Sequence, residues 1–222
     1  MLDVIEAVTG DKPAATILIL HGLGADGNDF VPVAEELQLD GVGPVRYLFP
    51  HAPVMPVTIN NGYRMRAWYD ILGFEEGAPQ DDAGLRRSQA MVEELIARER
   101  ERGIPANRIV LAGFSQGCAM ALLTGLRHRE TLAGIVGLSG YLPLASTTAK
   151  ERNAANRHTP IFLAHGTHDE VVHLHRAEAS RDALAALGYA VEWHTYPMGH
   201  SVSPQEILHL DAFLARVLAP GA

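Results

Sequence analysis

The chain is poor in the features that mark secreted, membrane-spanning or nucleic-acid-binding proteins. Cys118 is the single cysteine among 222 residues, so no intramolecular disulfide can form, and a reducing compartment, the cytoplasm, is the expected location. Asp3 and Glu6 stand where a secretory segment carries basic and then long apolar residues. No apolar run approaches the ~20 residues of a membrane span. Basic residues are outnumbered, 18 Lys plus Arg against 26 Asp plus Glu, for a formal charge of −8. The arginines also interleave with glutamates, as in Arg98-Glu-Arg-Glu-Arg102, so the basic stripe expected of a nucleic-acid binder is missing. Internal repeats, low-complexity tracts and linker-like stretches are absent too. What is present, 47% apolar residues, can build one sizeable core, and a single domain over residues 1–222 is expected.

Short β-rich apolar runs alternate with amphipathic helical patterns. Thr16–Leu20, Val45–Phe49, Ile109–Phe114, Gly134–Leu138, Ile161–Ala164 and Val191–Thr195 read as strands, several of them apolar on both faces. That pattern predicts an α/β fold with a mostly parallel sheet covered by helices. Asp82–Arg102 is the clearest helix: Leu85, Val92, Leu95 and Ile96 recur at helical spacing, and Gly103 then Pro105 stop it. Helices are also predicted over Phe30–Leu37, Arg176–Leu187 and Pro204–Leu218. From Pro50 to Asp81 the alternation breaks, and Asn61-Gly62 suggests a small hairpin. Trp68, Tyr69, Ile71, Leu72 and Phe74 fit either a lid or pocket wall beside a reacting ester, or an irregular excursion that packs its aromatics on the body.

The most informative stretch is Ile109-Val-Leu-Ala-Gly-Phe-Ser-Gln-Gly117, which sets Ser115 inside Gly-x-Ser-x-Gly at the end of a strand pattern. A strand that turns sharply into a helix holds its turn residue in a strained conformation, and flanking glycines remove side chains that would collide there. The small-residue run Cys118–Thr124 supplies the helix. Ser115 is therefore the candidate nucleophile.

A serine nucleophile needs a base and a group that orients the base. Asp169 follows the strand Ile161–Ala164 by a few residues, and His200 lies on a Gly-containing loop after the strand ending at Thr195. The order Ser115, Asp169, His200 is that of an α/β-hydrolase. Other histidines compete for the base, notably His165, His168 and His194, and Glu170, Asp70 and Asp82 compete for the carboxylate. His21-Gly-Leu-Gly-Ala-Asp-Gly27 follows the strand Thr16–Leu20, and its turn can offer main-chain N–H groups to a developing oxyanion. The expected donors are the amides of Leu23 and Gln116, with both side chains incidental.

Two other chemistries compete on motif grounds. Gly22-Leu-Gly-Ala-Asp-Gly27 is a literal G-x-G-x-x-G, but a dinucleotide site wants an acidic residue at the end of the second strand, whereas Asp40 precedes that strand and Pro50-His51 follow it. His165, His168, His173 and His175, with Asp169 and Glu170, are dense enough to suggest zinc. Yet His173 and His175 are two apart, and no His-Glu-x-x-His occurs. Neither a cofactor nor a metal is expected.

With these motifs in place, the chain resembles the serine carboxylesterase group of α/β-hydrolases that includes acyl-protein thioesterases and lysophospholipases. The resemblance rests on His21-Gly-Leu-Gly-Ala-Asp-Gly-Asn-Asp-Phe30, Phe49-Pro-His-Ala-Pro53, Trp68-Tyr-Asp70, Gly113-Phe-Ser-Gln-Gly117, His165-Gly-Thr-His-Asp-Glu-Val-Val172 and Gly199-His-Ser-Val202. It implies the triad Ser115, Asp169 and His200, the oxyanion amides of Leu23 and Gln116, and an acyl groove bordered by the loop Trp68, Ile71, Leu72 and Phe74 and by Val171. It also implies an enzyme without a large cap domain, acting on small acyl esters or acylated substrates. Cys118 departs from the resemblance, standing where the group often has a further glycine and so narrowing the approach of helix to sheet. Ester, thioester and lysophospholipid offer the same acyl carbonyl, and residue types do not separate them. A catalytically silent binder of an acylated ligand is the alternative from another class, and the 68–74 loop could supply a homodimer surface if exposed.

Overall fold

The computed structural model describes residues 2–73 and 77–221. They form a seven-stranded sheet: β1 (Val4–Val8), β2 (Ala15–Leu20), β3 (Val45–Pro50), β6 (Ile109–Phe114), β7 (Gly134–Leu138), β8 (Ile161–Gly166) and β9 (Val191–Tyr196). A separate hairpin pairs β4 (Val54–Val57) with β5 (Tyr63–Arg66). The sheet order is β1-β3-β2-β6-β7-β8-β9, and every neighbouring pair is parallel except β1 with β3. The mostly parallel sheet is thus as expected, while the antiparallel edge strand β1 is an addition. Its sequence Val-Ile-Glu-Ala-Val is half exposed and carries a charge, so it lacks the apolar signature of the buried strands.

Both faces of the sheet are covered, which is why the central strands are apolar throughout. On β2, Leu18 and Leu20 face one core together with Leu85, Val92 and Ile96 of α2 (Asp82–Glu101) and Leu122 of α3 (Gln116–Arg127), the helix order here skipping the short α1 (Val31–Glu36). Ile17 and Ile19 face the other core, with Ala34 of α1 and with Phe213 and Leu214 on the C-terminal helix. That helix, α6 (Pro204–Val217), follows α4 (Ala145–Glu151) and α5 (Leu174–Ala186). Full burial of each such side chain is worth about 1.5–3 kcal/mol, so the two layers hold the strand ends rigidly.

From the edge strand β1 the chain passes to β2, steps back to β3 between them, and then runs from β6 to β9 on the other side of β2. The carboxyl ends of β2 and β6 therefore meet where strand order reverses, the usual crevice for ligands in open parallel sheets. Among the described residues no large cap domain covers that edge, and no helix is long and apolar enough to cross a membrane. The Pro50–Asp81 segment contributes the hairpin, turned by Asn61 and Gly62, both at positive φ.

Candidate active site

Ser115 lies between β6 and α3 with φ 55° and ψ −117°, a conformation that L-residues rarely adopt. Its N–H donates to Leu138 O at 2.8 Å, tying the turn to β7. The two glycines of the pentapeptide are a steric requirement. A Cβ on Gly113 would lie 2.1 Å from Gly117 O, and one on Gly117 would lie 2.0 Å from Leu20 O. Only bare backbone lets helix, elbow and β2 approach this closely. Cys118 fits by a related exchange: a Cβ on Gly137 would meet its Sγ at 2.7 Å, so glycine across the interface makes room for the thiol. Burial pushes that thiol up to about 12 and keeps it protonated.

The structure brings Ser115, His200 and Asp169 into one hydrogen-bonded line. His200 Nε2 is 2.9 Å from Ser115 Oγ, and His200 Nδ1 is 2.7 Å from Asp169 Oδ2. With Nδ1–H donating to the carboxylate, a neutral imidazole presents an unprotonated Nε2 to the serine hydroxyl. Phe114 packs against the imidazole, ring centroids 4.8 Å apart. Asp169 is buried, and its Oδ1 accepts from the N–H groups of Val171 (2.9 Å) and Val172 (2.8 Å). These donors turn the carboxylate so that Oδ2 faces His200.

The competing residues sit elsewhere. His165, at the end of β8, is fully buried; its Nε2–H donates to Val172 O at 2.7 Å and lies 3.4 Å from Asp169 Oδ2, and burial lowers its basicity. It thus borders the same carboxylate oxygen as His200, while the bond to Ser115 Oγ is made by His200. His194 is on β9 beside Glu192, 3.1 Å away. Asp70 accepts from Thr58 N and Thr58 Oγ1, anchoring the hairpin, and Asp82 pairs with Arg86. His173 and His175 stack at 5.8 Å, and among the described residues no three His, Cys, Asp or Glu side chains converge as metal ligands.

The Leu23 and Gln116 amides lie at the carboxyl ends of adjacent β2 and β6, and neither donates to a protein acceptor among the described residues. Gly22 underlies the elbow, where an added Cβ would be 3.3 Å from Ser115 Cβ. The Gln116 side chain is far from incidental: Oε1 accepts from Trp68 N–H and Nε2 donates to Tyr69 O, both at 2.7 Å. Trp68, expected at the border of an acyl groove, is only 1% exposed and donates from Nε1 to His21 O at 2.9 Å. Leu72 and Val171 are exposed at 39% and 56%, Ile71 is partly buried against the core, and Phe74 lies outside the described residues. The linkage of Gln116, Trp68 and His21 escaped the sequence reading because each bond joins residues about 50 apart in the chain.

The phospholipase/carboxylesterase family pattern matches residues 3–218. The chain belongs to that family. It is an ester or thioester hydrolase of the α/β-hydrolase fold. It is 43% identical over 198 residues to acyl-protein thioesterase 1 of Yarrowia lipolytica, covering 87% of each chain. The crystal structure of Arabidopsis thaliana SOBER1 superposes with a TM-score of 0.87 at 32% identity, over 92% of this chain and 99% of that one. Acyl-protein thioesterase 2 of Zea mays gives 0.82 at 30% identity, over 97% and 99%.

Proposed function

We propose that the protein, acting as a single catalytic domain, transfers an acyl group from an ester or thioester to Ser115 and then to water. The observation that carries this reading is the unbroken line from Ser115 Oγ through His200 to Asp169, at 2.9 and 2.7 Å. His200 Nε2 takes the serine proton as Oγ attacks the carbonyl carbon. The amides of Leu23 and Gln116 receive the negative charge on the carbonyl oxygen. Collapse expels the alkoxide or thiolate, to which His200 returns the proton, and a water activated by the same imidazole releases the acid. Asp169 holds the tautomer and stabilises the imidazolium. None of these steps calls for a cofactor or metal.

Ile71, Leu72 and Val171 are the apolar border along which we place the acyl chain, with Trp68 behind it. An acylated protein or a small acyl ester is the substrate class. The names of the similar proteins, acyl-protein thioesterases 1 and 2, favour the thioester. Matched series of oxygen and sulfur esters of increasing acyl length test the choice: the sulfur series is expected to give the higher kcat/KM, and Ser115→Ala to abolish both. Turnover retained in Ser115→Ala would refute the mechanism, and a wild-type protein that binds acyl ligands without turnover would establish the silent-binder alternative.

A further inference from the structure

The two oxyanion amides come from loops far apart in sequence, and their spacing must be held by something other than local turn chemistry. Leu23 N–H belongs to the same planar peptide unit as Gly22 C=O, so the direction of one fixes that of the other. Gly22 O is held by His21 Nδ1–H at 2.7 Å, while His21 Nε2 accepts from Ala52 N–H at 3.0 Å. Those two bonds define one neutral tautomer, and burial lowers the basicity of the ring in the same sense. The His21 carbonyl in turn accepts from the Trp68 indole. Trp68 and Tyr69 are held by the carboxamide of Gln116, whose own N–H is the second amide. Ser88 Oγ also donates to Trp68 O.

We propose that the side chains of His21, Trp68 and Gln116 form a buried positioning relay that sets the orientation of the Leu23 amide relative to that of Gln116. This rests on the acyl-transfer reading above. Each member touches backbone and none touches the reacting atoms, so all three are positioning residues. The relay replaces the freedom that Gly22 gives its peptide with a fixed donor direction, which is what charge stabilisation in the transition state requires. Loss of a whole oxyanion donor costs roughly 10²- to 10³-fold in kcat, and a misaimed one is expected to cost on the order of 10-fold or more.

The test uses Trp68→Phe, which deletes the indole donor and keeps an aromatic ring, and Gln116→Glu. In the second variant a protonated carboxyl can still accept from Trp68 N–H and donate to Tyr69 O, whereas an ionised one repels that carbonyl. Both are to be compared with wild type in ester kinetics, inhibition by an alkylboronic acid and labelling by a serine-directed phosphonate. Trp68→Phe is expected to lower kcat about 10-fold or more with KM within about twofold, and to weaken boronate inhibition by a similar factor, with Ser115 still labelled to completion. For Gln116→Glu the kcat ratio to wild type is expected to fall as pH rises. Folded variants with wild-type kcat and boronate affinity at every pH, differing only in thermal stability, would overturn the relay. Should Trp68→Phe fail to fold, the pH dependence of the Gln116→Glu ratio decides alone. Turnover retained in Ser115→Ala would instead remove the acyl-transfer reading, and the relay with it.

Discussion

The elbow at Gly113–Gly117 and the irregular segment at Pro50–Asp81 both build the same site, yet they are held in opposite ways. At the elbow, a five-residue motif carries the requirement: a Cβ at Gly113 would overlap Gly117 O and one at Gly117 would overlap Leu20 O of the neighbouring strand, so the chain has one way to turn. The irregular segment has no comparable local rule. Beyond its internal anchors on Asp70, its course is set by contacts reaching away from it, from Gln116 to Trp68 and Tyr69, from Trp68 to His21, and from Gly24 N–H to Arg66 O at 2.9 Å. Strand-end machinery is thus encoded locally, and the surface beside it by partners about 50 residues away.

The largest effect is expected on the strand-end side. Asp169→Asn should keep the fold and lower kcat on the order of 10⁴-fold, because the amide leaves the imidazole in the wrong tautomer. Glu170→Gln, on the same loop, should leave steady-state rates near wild type. A folded Asp169→Asn enzyme with normal turnover would place the orienting carboxylate elsewhere.

Gly117→Ala comes next. The added methyl would need to lie 2.0 Å from Leu20 O, so backbone must move, and a stability loss above about 4 kcal/mol or failure to fold is expected in denaturant titrations. A well-folded Gly117→Ala protein would show that the elbow is less constrained than its geometry implies.

A smaller effect is expected just beyond His200, where Glu206 closes a capping box with Ser203 at the start of α6. The side chain is buried with Oε1 unpartnered, and burial raises its carboxyl to about 7. The folded state then holds a proton that the unfolded state has released above about 4.5. This contribution is complete below that pH and is lost as pH rises through about 7. Between pH 5 and 8 the wild type should therefore lose up to about 3 kcal/mol relative to Glu206→Gln. Parallel stability curves for the two proteins would contradict the assignment.

The smallest effect belongs to the irregular side. Asp81 caps α2 by accepting from Gly84 N–H and also holds Asp70 N–H, at 2.9 and 3.0 Å. Asp81→Ala should cost about 1–2 kcal/mol, a fall of a few degrees in Tm, with the Ser115 chemistry intact. A kcat loss exceeding the stability loss would mean the segment is coupled to the elbow more tightly than its anchors suggest.

How much of this was readable from the sequence follows the same division. The five buried strands announced themselves by apolar runs, half-buried β9 by its β-branched and aromatic residues, and α2 by its helical period and its stop at Gly103. Ser115, Asp169 and His200 were legible because each follows a strand, and parallel strands bring their carboxyl ends to one edge. The short helix α4 was not: Ala-Ser-Thr-Thr-Ala-Lys-Glu has weak helical preference, and Arg127 bonded to Glu151 and Thr147 steadies it from α3. From the sequence Trp68 fits either a pocket wall or an aromatic packed on the body, because an aromatic in an irregular loop can serve as either. Only its indole bond to His21 O and its 1% exposure reveal the inward orientation.

The most direct measurement is mass spectrometry of the enzyme quenched during turnover of a slow acyl ester or thioester. One acyl group on the peptide containing Ser115, formed and lost at rates matching kcat and absent from Ser115→Ala, is the expected result. An adduct on another residue, or full turnover by Ser115→Ala with no adduct, would contradict acyl transfer through this serine.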